Sequence, residues 1–235
     1  MATFDSSIYE DGAYLHKNPS WHEEDSPWKA QHISRMWARN QLKPQRVAEI
    51  GCGAGEILNC LAREHGAGVQ FVGYDISPQA IDLCAKKSHA HLRFELKNML
   101  EENVEAFDIA LAIDVFEHVE DCYGFLRKLR SKATYKVFHI PLDLSAQTVL
   151  RSEPIMNVRR VVGHIHYYNK DLALATLRDT GYEVLDHFYT CTRMELPNLP
   201  WQAQMMRLPR RLAFALHPDL AVRALGGWSL MVLAR

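Results

Sequence analysis

The sequence has no surplus of charge of either sign: 27 Lys and Arg stand against 28 Asp and Glu over 235 residues, for a formal net charge of −1. That balance supplies no field for gripping long nucleic acid or an anionic membrane. The cluster Arg207, Arg210 and Arg211 is a local exception and reads as a solvated helix face. No apolar run approaches the length that crosses a bilayer. The opening residues, Met1 to Ser7, lack the basic-then-apolar pattern of a secretion signal. Cysteine is scarce, with 5 residues and no C-x-x-C pair. A disulfide framework or structural zinc is therefore not expected, and a reducing, cytoplasmic setting fits. Repeats and low-complexity tracts are also missing. The expectation is one soluble α/β domain over 1–235, large enough to bury a full core.

From Arg46 onward, short apolar runs alternate with amphipathic stretches. Arg46–Gly51, Gln70–Tyr74, Leu92–Leu96, Asp108–Ile113 and Tyr135–Ile140 read as strands. Glu56–Glu64, Pro78–Lys87 and Tyr123–Lys132 read as the helices between them, the second capped by Ser77 with Pro78 at its first position. Lys170–Thr180 is a further helix ended by Gly181. Val184–Arg193 and Trp228–Ala234 complete a seven-stranded, doubly wound, mostly parallel sheet with helices on both faces. Residues 1–45 carry Tyr9, Tyr14, Trp21, Trp28 and Trp37, too aromatic for a disordered tail, and read as a helical lid. Residues 46–141 form the cofactor-binding core. Residues 142–167 and 194–227 are insertions on the substrate side.

Glu49-Ile50-Gly51-Cys52-Gly53-Ala54-Gly55 joins the first strand to the first core helix. Glycines allow a sharp turn and close approach of backbone to a ligand. Gly55 comes two residues after Gly53, whereas the dinucleotide fingerprint spaces its last two glycines by three, which disfavours NAD and FAD. Asp75 ends the second strand, where a carboxylate can accept hydrogen bonds from a ribose; a turn or capping role is the alternative.

Taken together, VAEIGCGAGEI, FVGYDIS and FDIALAIDVFEHVED resemble the motifs of class I S-adenosylmethionine-dependent methyltransferases, in the expected order from about Arg46 to the last strand. The resemblance implies a Rossmann-like fold and S-adenosyl-L-methionine as cofactor. It implies that Glu49 and the loop of Gly51, Cys52, Gly53 and Gly55 hold the amino-acid end, that Asp75 holds the ribose and that Ile76 packs on the adenine. Asn98 and Met99 would meet the adenine edge and face, although the family more often has an acidic residue near Asn98. Asp114 and Val115 would lie beside the methionine portion.

Reactive side chains gather at the carboxyl ends of the strands, where open parallel sheets bind ligands. Asp114, Glu117 and His118 follow the fourth strand, His139 and Asp143 flank the end of the fifth, and His164 and His166 follow the insertion. His118, with Glu117 and His164, is the candidate catalytic group, since an imidazole titrating at about pH 6.5 can move a proton near neutrality. A helix-capping or packing role is its alternative. Asp114-x-x-Glu117-His118 with a distant His164 also resembles the Glu-x-x-Glu-His…His arrangement of metal-dependent O-methyltransferases, which implies a divalent ion on Asp114, Glu117, His118 and His164. Here the first ligand is Asp rather than Glu, and His166 is a second choice beside His164. Tyr14, Trp28, His139, His166 and Tyr168 are candidates to wall the acceptor, with Trp21 and Tyr167 near them. Arg151, Arg159 and Arg160 could bind a substrate carboxylate or phosphate.

The reading is thus methyl transfer to the oxygen or nitrogen of a small polar acceptor. A protein or RNA target, or a non-catalytic S-adenosylmethionine-binding subunit, stands as the alternative, and neutral charge counts against RNA.

Overall fold

In the computed structural model, which describes residues 23–195, 205 and 207–235, seven strands form one sheet among the described residues. The first half of the chain gives helix α1 (Ser26–Arg39), strand β1 (Arg46–Ile50), α2 (Glu56–His65), β2 (Gln70–Asp75), α3 (Pro78–Cys84), β3 (Leu92–Leu96) and β4 (Phe107–Ile113). Next come α4 (Cys122–Leu129), β5 (Ala133–Pro141), α5 (Ala146–Arg151), α6 (Glu153–Val161), α7 (Lys170–Asp179) and β6 (Val184–Thr190). Helices α8 (Thr192–Glu195), α9 (Arg207–Leu216) and α10 (Pro218–Leu225) precede the final strand β7 (Ser229–Ala234).

The strand order is β3-β2-β1-β4-β5-β7-β6. Strands β1 to β5 pair in parallel, and β7 runs antiparallel to both β5 and β6. Central strands covered on both faces must be apolar throughout. Accordingly Val47 and Ala48 of β1, and Ile109 to Ala112 of β4, are buried. Because side chains alternate across a strand, these residues divide between two cores. Ala48, Val72, Ala110 and Phe138 meet Phe125, Leu126 and Leu177 of α4 and α7 on one face. Val47, Phe71, Ile109 and Val137 meet Leu58 and Leu61 of α2, and Ile33, Met36 and Trp37 of α1, on the other.

Three expectations are corrected. The strand expected to reach Arg193 ends at Thr190, because Glu195 Oε1 accepts from the Cys191 N–H at 3.1 Å and the chain turns into α8. The helix expected to reach Lys87 stops at Cys84, and Ala85–Lys87 tighten into a 3₁₀ turn. Arg210 is not a solvated residue. It is buried, its guanidinium donates to Gly226 O and, at 3.1 Å, to Leu225 O, and it lies 5.1 Å from the Trp228 ring centre. It therefore ties α9 to the end of α10. Of the aromatic N-terminal segment, α1 packs beside α2 on a sheet face; Tyr9, Tyr14 and Trp21 lie outside the described residues.

Candidate active site

The order of strands reverses direction at β1 and β4, the place where open α/β sheets bind ligands. The glycine loop leaves β1 there. Gly51 and Gly55 sit at φ +67° and +76°, a region that side-chain-bearing residues avoid. A Cβ on Gly55 would also come within 2.5 Å of the Phe94 ring. Asp75, at the end of β2, holds the loop in place: its Oδ2 accepts from the Gly53 N–H at 2.9 Å and its Oδ1 from the Ser77 N–H at 2.8 Å. Burial raises the Asp75 carboxyl against these two donors.

Two cavities share Gly51 as a wall. One, of about 310 Å³, is lined by Asp75, Ile76, Asn98, Leu100 and Val115. The other, of about 480 Å³, is lined by Glu49, Cys52, Gly53, Gly55, Asp114, His118, His139 and His164, with Lys29 from α1. Glu49 closes this second cavity from below. It is almost fully buried, and its Oε2 has no hydrogen-bond partner among the described residues. Burial pushes its carboxyl well above the ordinary range, with the Cys84 thiol adding to the effect. An unmatched buried carboxylate of this kind is costly unless a cation arrives to meet it.

Asp114 follows β4 in a left-handed conformation, φ +54°. Its Oδ1 faces His139 Nδ1 at 2.6 Å and its Oδ2 faces Lys29 Nζ at 2.8 Å. His139 Nε2 in turn meets Thr190 Oγ1 at 2.9 Å. Burial alone would raise the Asp114 carboxyl, but His139 and Lys29 outweigh it and hold the group well below the usual range. Lys29 is itself desolvated, yet Asp114 keeps its ammonium charged. Lys29 is the functional candidate that sequence reasoning missed. The available signal was a lone lysine four residues before Ile33 and seven before Met36, inside the stripe that helical periodicity assigns to the core.

Glu117, His118 and His164 bring one ligand atom each within 4.8 Å of one another. The His118 and His164 rings meet edge to face at 4.8 Å. His164 Nδ1 is held by Asp143 Oδ2 at 2.6 Å. Burial, reinforced by His164, pushes the His118 imidazole down to about 4. Glu117 is fully buried, neither carboxylate oxygen has a hydrogen-bond partner among the described residues, and burial raises its carboxyl well above the usual range. Asp114, the fourth residue of the expected metal set, is engaged by Lys29 and His139 instead. Of the two later histidines, His164 faces the cluster, while His166 Nε2 turns to Val119 O at 2.8 Å.

The remaining candidates are placed as follows. Met99 is fully buried in the core, and Leu100 lines the cavity in its stead. Tyr168 is a core residue packed edge-on to Phe116. Trp28 stands beside the cavity wall, its ring 5.9 Å from that of His139 and its indole N–H donating to Glu195 Oε2 at 2.8 Å. Tyr14 lies outside the described residues.

A family model described as a methyltransferase domain matches residues 20–187. The ubiquinone biosynthesis O-methyltransferase of Rhodopseudomonas palustris (strain TIE-1) is 39% identical over 93 residues, which are 37% of this chain and 35% of that protein. The matched stretch thus spans about a third of that curated relative's length. Among solved structures, magnesium protoporphyrin IX methyltransferase from Synechocystis PCC 6803, with bound S-adenosylhomocysteine, superposes with a TM-score of 0.60 at 17% identity, covering 88% of this chain and 82% of that one. A putative methyltransferase of Haloferax volcanii, solved with a methyltransferase activator, reaches 0.65 at 15% identity, covering 99% and 96%. These two show the same fold.

Proposed function

We propose that this chain, which belongs to the methyltransferase-domain family, binds S-adenosylmethionine across the two cavities and directs its methyl group to a hydroxyl oxygen of a small polar acceptor. The cofactor supplies an electrophilic methyl on a good leaving group. The protein must align the acceptor, exclude water and remove a proton. The orphaned Glu49 carboxylate suits the cofactor's amino group, and the glycine loop gives its backbone to the same end. Asp75 suits the ribose, with Ile76, Asn98 and Val115 around the base. Residues 1–235 act as one domain in this reading, with 142–167 and 194–227 on the acceptor side. A cytoplasmic setting is supported by five unpaired cysteines. Among the described residues no helix is long and apolar enough to cross a membrane.

The observation that carries the hydroxyl reading is the buried trio of Glu117, His118 and His164. Burial pushes the His118 imidazole down to about 4, which favours its neutral form near pH 7 and leaves it suited to ligate a cation or act as a weak base. A divalent ion would fit Glu117, His118 and His164, since it would satisfy the two oxygens that Glu117 leaves unmatched. Bound there, it would lower the pKa of a hydroxyl beside it. Asp143 would orient His164 from behind, as carboxylates do for ligating histidines.

The test is transfer of labelled methyl from S-adenosylmethionine to a panel of phenols, catechols and amines, with and without Mg²⁺ or Mn²⁺. Label on a phenolic or catechol oxygen supports the reading. Label on amines alone, or on protein or RNA of an extract and no phenol, defeats it. Tight cofactor binding without any transfer indicates a regulatory subunit.

A further inference from the structure

A third cavity, of about 410 Å³, continues from the reaction chamber. The two share Pro141, Val158, Thr192 and Ser229 as walls. Its other walls include Gln147 and Arg151 of α5, Asn157 of α6 and Trp228, the residue just before β7. Among the described lining residues Arg151 is the only cation and Asp143 the only anion. Asp143 is already committed to His164 at 2.6 Å.

Arg151 is positioned but not neutralised. In the amide orientation that satisfies both ends of Gln147, its nitrogen donates to Leu225 O at 3.0 Å and its oxygen accepts from Arg151 Nη1 at 3.1 Å. An amide oxygen fixes a guanidinium without cancelling its charge, so the fork remains available for a bidentate oxyanion. By contrast, Arg160 on the adjoining helix is paired with Glu153. No carboxylate among the described residues forms such a pair with Arg151. Trp228, one of the lining residues, has a buried indole N–H that finds no acceptor among the described residues.

On the hydroxyl-acceptor reading given above, we propose that this chamber is the subsite for an anionic group, a carboxylate or phosphate, carried by the acceptor at its end away from the reacting oxygen, with Arg151 as the recognising residue. Arg151 and Asn157 are exposed and Gln147 is half-buried, so an anionic end placed here meets a solvated guanidinium beside two side-chain amides, and the chamber favours acceptors that carry one.

Calorimetric titration of the S-adenosylhomocysteine-loaded protein tests this with three probes: 3-(3,4-dihydroxyphenyl)propionate, its methyl ester, and inorganic phosphate. S-adenosylhomocysteine binding, titrated first, checks that each variant is folded. The acid is expected to bind at least roughly 10-fold tighter than the ester, a difference that Arg151→Gln abolishes and Arg151→Lys keeps in part. Equal binding of acid and ester to the wild type, or no binding of the acid, overturns the proposal. So does Arg151-dependent binding of phosphate with no preference for the acid, which marks a site for a free anion. The same probes separate this subsite from the hydroxyl reading. Arg151-dependent binding of the acid without methyl transfer to its catechol retires the hydroxyl reading and keeps the subsite. Transfer to acid and ester with equal KM retires the subsite alone.

Discussion

Lys29 Nζ lies 2.8 Å from Asp114 Oδ2, so the first turn of α1 is fastened to the end of β4 beside the cavity that the glycine loop lines. The pair does two things. It keeps the Asp114 carboxylate ionised despite burial, and it holds α1 against the cavity. Replacing Lys29 by Met leaves Asp114 with His139 as its remaining partner and moves its carboxyl back up. Lys29→Met should therefore lower stability by about 1–3 kcal/mol, the scale for losing a hydrogen bond to a charged group. It should also weaken S-adenosylhomocysteine binding. Thermal denaturation and calorimetry on Lys29→Met, Asp114→Asn and the double variant measure the coupling directly; a pair in contact should show about 0.5–3 kcal/mol. Strict additivity would mean that the contact contributes nothing.

Asp75 carries a double load. Its two oxygens already accept from Gly53 and Ser77, one donor in the glycine loop and one at the start of α3. Asp75→Ala should weaken S-adenosylhomocysteine binding by roughly 10- to 100-fold and lower the melting temperature as well, because two buried N–H groups lose their acceptor at about 1–3 kcal/mol each. Asp75→Asn should not rescue it. One face of the amide presents a donor to a backbone donor. A variant that loses affinity while its melting temperature stays unchanged would separate ligand binding from loop support and contradict the shared role.

Much of this was legible from local signals. Short apolar runs between amphipathic stretches located all seven strands because the central ones are buried on both faces and so are apolar throughout, and Gly51–Gly55 with Asp75 located the switch point. Side-chain pairing was not legible. Nothing near Asp114 in sequence announces that Lys29, from a helix before β1, occupies its second oxygen. The spacing of His164 and His166 favoured His164 but left His166 as a second choice. The turn at Glu117, whose carbonyl accepts from the N–H groups of both Ile165 and His166, decides which imidazole faces inward. Met99 and Tyr168 looked like ligand-facing residues by position, and both went to the core, since which way a residue after a strand points depends on the loop that follows.

Metal content follows from the trio. If Glu117, His118 and His164 hold a divalent ion, the protein should bind about one equivalent, EDTA should abolish transfer, and Mg²⁺ or Mn²⁺ should restore it. His164→Ala should remove the ion. Asp143→Asn, which changes the carboxylate that holds His164 Nδ1, should loosen metal affinity by roughly 10- to 100-fold. Elemental analysis paired with labelled-methyl assays reads both quantities. Transfer that survives EDTA with no metal detected would leave His118 acting as a base by itself, and His118→Ala would then lower turnover without changing cofactor affinity.

Acid stability is set partly by Glu195, which clasps α1 to the segment after β6. Its Oε2 accepts from Trp28 Nε1 at 2.8 Å and faces His32 Nε2 at 2.9 Å, while Oε1 takes the Cys191 N–H. Burial works against the charge, but His32, Trp28 and Cys191 outweigh it and hold the folded carboxyl below its ordinary value. Asp186 behaves alike, with Arg39 and Asn40 of the same region overcoming its burial. For such groups the unfolded chain binds protons more readily than the folded one, so stability rises with pH through this window. The contribution is fully present above the unfolded carboxyl range, about pH 4–5, and is lost as pH falls through the folded value. The melting temperature of Glu195→Gln should thus lie below wild type at pH 7, and the gap should close on acidification. A gap that stays constant from pH 7 to pH 3 would show that the charge of Glu195, as distinct from its shape, does not hold α1 in place.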